Sequence, residues 1–434
     1  MDLDRELVDQ MIAWRRDFHR HAEPGWTEFR TTSIIARTLE EWGWDVVVGP
    51  DVHRGATRMG VPPADVLAEA RTRALAQGAD PELVERMGEG WTGVVATLDP
   101  GRPGPVVAFR FDIDANDLHE SSDPRHRPTA QGFSSLNEGA MHGCGHDGHA
   151  AMGLGLARVL ADRRSELTGS VRIIFQPAEE GVRGAHSIVE AGWLDDVDVF
   201  IATHLMAAQG FGHVCVGMDS FLASTKFDVT FTGVGAHAGA NPEKGHNALL
   251  AACAATTNMA AIAPHSAGTQ RVNVGTLNAG EGRNVVPRLA RMQVECRGAD
   301  SRINDYVFAR ARQVVQGAAQ MFEVSHEIVV TGRAETAPPS PELLPFVHAC
   351  FAAVPGVTRV TDTGGDPGSE DATAMMNRVK ERGGLATYVA IGMDAPWGHH
   401  TEDFDIDEDC LAIGVAAESQ IALDAAAFLK GLRG

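Results

Sequence analysis

Cysteine is scarce in this chain: six in 434 residues, at positions 144, 215, 253, 296, 350 and 410, with no CxxC pair. That spacing excludes a disulfide framework and fits core thiols in a reducing compartment. Positive charge is also short, 37 Lys and Arg against 58 Asp and Glu, a net charge of -21. Such a balance argues against nucleic-acid backbones and anionic membranes as partners. It leaves room for a small anionic substrate, because one arginine or a metal can dominate a single pocket. The opening MDLDRELVDQ has no apolar leader, and no apolar run approaches the length of a membrane span, so a cytoplasmic protein is expected. There is no GxSxG elbow, Walker-type phosphate loop, internal repeat or heptad array. The glycine-rich Gly233–Gly239 lacks the Lys-Ser/Thr ending a phosphate loop needs.

What the chain does have is concentrated in Met141–His149 (MHGCGHDGH), with three imidazoles, a thiol and a carboxylate. Glycines 143, 145 and 148 let the backbone bend so that several of these side chains converge. The following AAMGLGLARVLAD reads as a helix, which puts the cluster at a helix N-terminus. Neutral imidazole and thiolate are good ligands for borderline divalent metals.

Taken in order, residues 3–22 read as an amphipathic helix, 31–42 as a second helix and 44–48 as a strand. Residues 58–90 read as two helices, the second capped by Asp80-Pro81, in a segment expected to be a surface insertion or, second, a partner-binding element. Strands are expected at 91–98 and 106–113, the second running out through Asp112 and Asp114, whose alternation points both the same way. Strand 170–175 runs into Gln176-Pro177-Ala178-Glu179-Glu180-Gly181, and strand 197–203 ends on His204. Three strand ends thus deliver candidate ligands, where open α/β sheets build their sites. From about residue 221 the order becomes βαββαβ, over 226–232, 247–262, 271–277, 289–297, 303–321 and 325–330. That is the split-βαβ, ferredoxin-like sandwich, here inserted into the first domain. The expected fold is therefore α/β, with a catalytic three-layer αβα domain of mainly parallel sheet (1–219 and 334–434) and an inserted domain (220–333). The last segment carries a helix at 342–353, a turn-rich stretch at 364–371, a strand at 386–391, and Gly398-His399-His400-Thr401-Glu402 before a final amphipathic helix.

The ligand-grade residues are Cys144, His146, Glu180, His204 and one of His399 or His400. Five mixed N, O and S donors are one more than a closed tetrahedral zinc site needs, and suit two divalent ions. Such a pair polarises a carbonyl and lowers the pKa of a water. Glu179, beside the ligand Glu180, is then the natural proton shuttle.

Cys144-Gly145-His146-Asp147, Gln176–Gly181, Gly235-Ala236-His237-Ala238, Asn284-Val285-Val286-Pro287 and His400 together resemble the aminoacylase/glutamate-carboxypeptidase metallopeptidase family. The likeness is to its amidohydrolase branch, and it is sharpened by Trp14–His19, the 58–90 segment and Gly368–Thr373. The resemblance implies Cys144, His146, Glu180, His204 and His400 as metal ligands and Glu179 as general base. It also implies Asp114 as a strand-end acid that orients a ligand, and His237 as an oxyanion-stabilising lid histidine reaching in from a neighbouring subunit. Asn284 and Arg297 take the substrate-binding positions, Arg297 suited to pairing a carboxylate. Two divalent ions are implied, manganese by the branch and zinc by the softness of a thiolate. The substrate class implied is an N-aroyl or N-arylacetyl amino acid: p-aminobenzoyl-glutamate first, then an indole-acetyl-aspartate, with removal of an aromatic amine as a more distant reaction. A homodimer through the inserted lid domain is implied, or a heterodimer with a related subunit.

Overall fold

The computed structural model describes residues 3–365 and 368–433. Twelve strands occur among them: β1 (Asp45–Val48), β2 (Val94–Leu98), β3 (Val106–Asp112), β4 (Ser170–Gln176), β5 (Val199–Met206), β6 (His213–Cys215), β7 (Ala223–Thr232), β8 (Gln270–Ala279), β9 (Leu289–Gly298), β10 (Ser325–Ala334), β11 (Arg359–Thr361) and β12 (Leu385–Gly392).

Eight strands form one sheet in the order β1-β2-β4-β3-β5-β12-β6-β11. Its centre is parallel, from β4 through β3 and β5 to β12, while β1, β2 and the β12–β6 pairing are antiparallel. The central strands read as unbroken apolar runs because both faces are covered. On one side, core residues of helices Arg5–Arg20, Phe29–Glu41, His146–Asp162 and Cys410–Arg433 pack together. On the other, helices Ala185–Glu190 and Ala372–Glu381 bury Ile188, Met375, Met376 and Val379. This is the three-layer αβα arrangement with a mainly parallel sheet.

β7, β8, β9 and β10 form a second, wholly antiparallel sheet in the order β10-β7-β9-β8. Helices Ala248–Met259 and Ser301–Met321 cover one face, closing over Phe227, Val229, Phe231, Met292 and Val294. The βαββαβ order is present, with a bulge in β10 between Val330 and Gly332.

Several sequence expectations need correction. Residues 58–90 lie at the surface but are docked by one face. Helices Ala64–Ala76 and Pro81–Met87 send Ala70, Ala74, Leu83, Val84 and Met87 into the main core. Arg58 is stacked between Trp26 and Trp91, its guanidinium carbon 4.6 and 3.9 Å from the two ring centroids. His204 lies inside β5 rather than past its end, since that strand continues to Met206. The short strands β6 and β11 and the helices Ala185–Glu190 and Ala372–Glu381 had no periodic signal long enough to register. Of the turn-rich 364–371 stretch, Asp366 and Pro367 lie outside the described residues. Cys410–Leu432 is, by length and composition, apolar enough to cross a membrane, contrary to the expectation that no such run exists; 61% of its apolar window is buried in the core.

Candidate active site

The site forms where β3, β4 and β5 deliver their C-terminal ends to the start of helix His146–Asp162. Gly145 takes a left-handed φ of 91° at the N-cap, which turns the chain sharply enough to aim both Cys144 and His146 inward. His146 is fully buried, and its Nδ1 lies 2.9 Å from the Asp114 carbonyl and 3.3 Å from the Asp114 carboxylate. Two acceptors there hold a proton on Nδ1, while Nε2 makes no hydrogen bond and lies 3.7 Å from the Asp112 carboxylate. His204 uses Nδ1 on the Leu205 carbonyl, 2.7 Å away, and points Nε2 to within 3.6 Å of the Cys144 sulfur.

Two neighbouring imidazoles are differently committed. His149 gives Nδ1 to Asp112 and accepts the Leu205 amide at Nε2. His399 accepts the Ala207 amide at Nε2, 3.2 Å away, which leaves Nδ1 as a donor towards the Cys144 sulfur, 3.6 Å off. Next to it, His400 adopts φ +61° and lies with Nε2 3.1 Å from Glu180 Oε1. That contact has ion-pair distance without hydrogen-bond alignment, as two donors aimed at a common point would. A left-handed conformation in a non-glycine residue is a strain that functional sites commonly hold. Cys144, Glu180 and His400 can all bring a ligand atom within 4.8 Å of one another, as can His146, Glu179 and Glu180.

The loop bearing the two glutamates is held by its backbone. Three buried carboxylates accept its amides: Glu28 from Ala178 at 2.8 Å, Asp114 from Glu179 at 3.0 Å and Glu180 at 2.9 Å, and Asp371 from Gly184 at 3.0 Å and Ala185 at 2.9 Å. This clamp stabilises φ values of +53° at Ala178 and +59° at Val182, unusual for non-glycine residues. Arg110, fully buried, ties Asp371 to Asp112 and Glu370, and Tyr388 donates its hydroxyl to Glu370.

The electrostatics follow. Burial, then Glu370, Glu180 and Asp371, push the Glu179 carboxyl well above the carboxylate range. Burial and Glu370 likewise raise Asp371 to about 7. Burial alone would raise the Cys144 thiol, but the His204, His146 and His399 imidazoles around it bring it well below its ordinary value. The adjacent Cys144 and Glu180 push His400 up to about 10. A sulfur, imidazole nitrogens and carboxylate oxygens converge here. That donor set fits borderline divalent cations, so the residues present suit a metal centre.

The structure therefore brings Cys144, His146, Glu179, Glu180, His204, His400 and Asp114 together. His237, Asn284 and Arg297 are elsewhere, on the smaller sheet and its loops. His237 is exposed and accepts the Gly239 and Ala240 amides at Nδ1, 3.1 and 3.0 Å away. Its loop lies against that of Asn284, whose carbonyl accepts the Ala238 amide at 3.0 Å. Arg297 is paired with Glu295 at 3.0 Å. Sequence reading missed Glu28, Arg110, Glu370 and Asp371 as supports of the glutamate loop. Buried carboxylates whose partners are backbone amides leave no motif, although Glu370-Asp371 at a turn was a usable hint.

A paired-glutamate loop facing a Cys/His/Glu donor set, on an αβα sheet with an inserted four-stranded domain, defines a metal-binding hydrolase of amide C–N bonds. The chain belongs to peptidase family M20/M25/M40, whose profile matches residues 108–424. It is 51% identical over 421 residues to indole-3-acetyl-aspartic acid hydrolase of Enterobacter agglomerans, covering 97% of each chain. It is 50% identical over 419 residues to one of the subunits of p-aminobenzoyl-glutamate hydrolase from Escherichia coli (strain K12), covering 96% of each. Among solved structures, the aminobenzoyl-glutamate utilization protein of Klebsiella pneumoniae superposes with a TM-score of 0.85 at 46% identity, covering 97% of this chain and 96% of that one.

Proposed function

We propose that this amidohydrolase cleaves N-aroyl or N-arylacetyl conjugates of dicarboxylic amino acids, with p-aminobenzoyl-glutamate, giving p-aminobenzoate and glutamate, as its first substrate. The observation that carries the reading is Glu179, a buried carboxyl grouped with His146 and Glu180, the last of which is also grouped with Cys144 and His400. Indole-3-acetyl-aspartate is the second candidate, favoured by the relative that is 51% identical. Ring deamination stands behind both, because it makes no use of an amino-acid carboxylate.

In this reading Cys144, His146, Glu180, His204 and His400 hold two divalent ions, manganese first and zinc as the alternative that a thiolate favours. When bound, such ions polarise the scissile carbonyl and lower the pKa of a water. The chain's own residues do the rest. Glu179 takes a proton from the attacking water on its carboxylate and returns it to the departing amide nitrogen. Burial and the neighbouring carboxylates raise its pKa, which helps it hold the proton between the two halves of that exchange. Asp114 fixes the His146 tautomer and holds the amides of Glu179 and Glu180, so base and ligand stay in register.

Residues 1–219 and 334–434 form the catalytic domain and 220–333 the lid. In a homodimer joined through the lids, His237 and Asn284 reach the partner's site, where His237 stabilises the oxyanion, and Arg297 meets a substrate carboxylate. A related second subunit could take the partner's place. The protein works in the cytoplasm. The test is release of p-aminobenzoate and glutamate by purified protein, metal-stripped and then reloaded with manganese or zinc. Metal-dependent release supports the reading, and a fully loaded protein that releases neither product from any such conjugate removes it.

A further inference from the structure

A cavity of about 380 Å³ opens between Glu180 and the smaller sheet, lined among others by Gly60, Asp117, Arg183, Lys226 and Asp228. Strand alternation puts Lys226 and Asp228 on the face of β7 opposite Phe227, Val229 and Phe231, which are buried under the helices. Lys226 stands across from Glu295 in the β7–β9 register, the neighbour that would ordinarily neutralise it. Glu295 is taken: Arg297 Nε lies 3.0 Å from its carboxylate and the Ser224 hydroxyl donates to it at 3.2 Å. Among the described residues no carboxylate comes within ion-pair distance of Lys226.

Arg183 is the second cation. Its Nε donates to the Glu180 carbonyl at 2.7 Å and its Nη1 to the Gly60 carbonyl at 3.2 Å. Carbonyls fix a guanidinium in place without neutralising it. The fit is close: a Cβ added at Gly60 would lie 2.6 Å from Arg183 Cδ. The contact between the two sheets is equally tight here, because the Arg333 amide donates to the Val182 carbonyl at 2.8 Å and a Cβ at Gly332 would meet the Gly181 oxygen at 2.1 Å. The cavity is thus a fixed cleft carrying two cations with no carboxylate partner, next to the glutamate proposed to hold metal. Asp117 and Asp228 share the cleft and pair with neither cation.

We infer that Lys226 and Arg183 form the subsite for the side-chain carboxylate of a dicarboxylic amino acid, the part of the substrate that leaves as the free amine. The inference rests on the amidohydrolase reading above. It assigns the second carboxylate separately from the α-carboxylate, which Arg297 is proposed to meet. A flexible lysine on the strand and a rigid arginine on the glutamate loop would accommodate both the glutamate and the shorter aspartate side chain.

The experiment compares three p-aminobenzoyl conjugates, of glutamate, of glutamine (side chain neutral) and of isoglutamine (α-carboxyl neutral). Metal-loaded full-length enzyme is assayed beside Lys226→Met, Lys226→Arg and Arg183→Met. Wild type should prefer the glutamate over the glutamine conjugate in kcat/KM by about tenfold or more, the range of a lost hydrogen bond to a charged group. Each methionine variant should bring that ratio towards unity, Lys226→Arg should restore most of it, and discrimination against isoglutamine should persist. A ratio within one preparation is independent of how much enzyme is folded. Kd values of the same conjugates for Glu179→Gln protein, with and without Lys226→Met, give the same comparison without turnover. A wild type indifferent to the side-chain charge, or a Lys226→Met variant that keeps the full preference or loses only the discrimination against isoglutamine, overturns the inference. If wild type turns over none of the conjugates, the functional reading fails, and the Kd ratios still decide the subsite.

Discussion

Glu418 offers a stability test that stands apart from the metal ligands. It lies on the C-terminal helix, fully buried, with Leu411, Val415 and Ala417 of the same helix in the surrounding core. One carboxyl oxygen accepts the Thr203 hydroxyl, and the other has no partner. Burial, only partly offset by Thr203, pushes the group from its ordinary 4.5 up to about 8. Below that lower value both folded and unfolded chains are protonated, and Glu418 has no effect on pH dependence. Above it only the unfolded chain releases its proton, so stability falls with rising pH until the folded carboxyl itself ionises. At about 1.4 kcal/mol per pH unit, the loss by pH 7 is about 3 kcal/mol. Glu418→Gln keeps an acceptor for Thr203, leaves one unpartnered polar atom as before, and cannot ionise. Its advantage should be near zero at pH 4.5 and grow towards alkaline pH. For a chain of this length, an unfolding entropy of about 0.9 kcal/mol per kelvin converts the pH 7 value into about 3–4 °C in Tm. Thermal melts of both proteins in parallel, from pH 4.5 to 9, make the measurement. A Tm difference that stays constant across the range would refute the claim that Glu418 is protonated in the fold.

Cys144→Ala should retain metal about tenfold less tightly, read as bound metal after dialysis; full loading would remove the thiol from the ligand set. Glu179→Ala should keep its metal and lose turnover by about 10²–10⁴-fold, measured on the glutamate conjugate; near-normal activity would remove it as the base. If His237 serves a neighbouring site, mixing inactive His237→Ala with inactive Glu179→Ala protein should restore part of the activity; no recovery after demonstrated subunit exchange would place its action within one chain. Arg58→Leu removes two ring contacts and donors to the Glu89 and Gly90 carbonyls, and should destabilise by about 2 kcal/mol. It should also speed proteolytic nicking between residues 61 and 90, and unchanged cleavage would show that the segment is anchored by its apolar core alone.

Much of the candidate site was legible from sequence because its chemistry is locally dense. Cys144, His146 and the Glu179-Glu180 pair lie in short runs whose composition has few other uses, and the βαββαβ order shows in alternation that a half-buried sheet imposes on its strands. Those are properties of neighbours along the chain. Which imidazole nitrogen is free is not such a property. His146 and His149 differ by three positions, yet of the two only His146 keeps Nε2 out of a hydrogen bond, because the Leu205 amide on β5 occupies that atom in His149. The glutamate loop is held by Glu28 from the N-terminal region and Asp371 from near the other end, through backbone amides that carry no residue identity. Lys226 reads as an ordinary strand lysine until Arg297 is seen to occupy the glutamate opposite it. The sequence by itself determined the residue types, their local spacing and the order of elements. Only the tertiary structure decided which donors are satisfied and which are left to meet a ligand, because hydrogen bonding and charge compensation are settled between segments far apart in the chain.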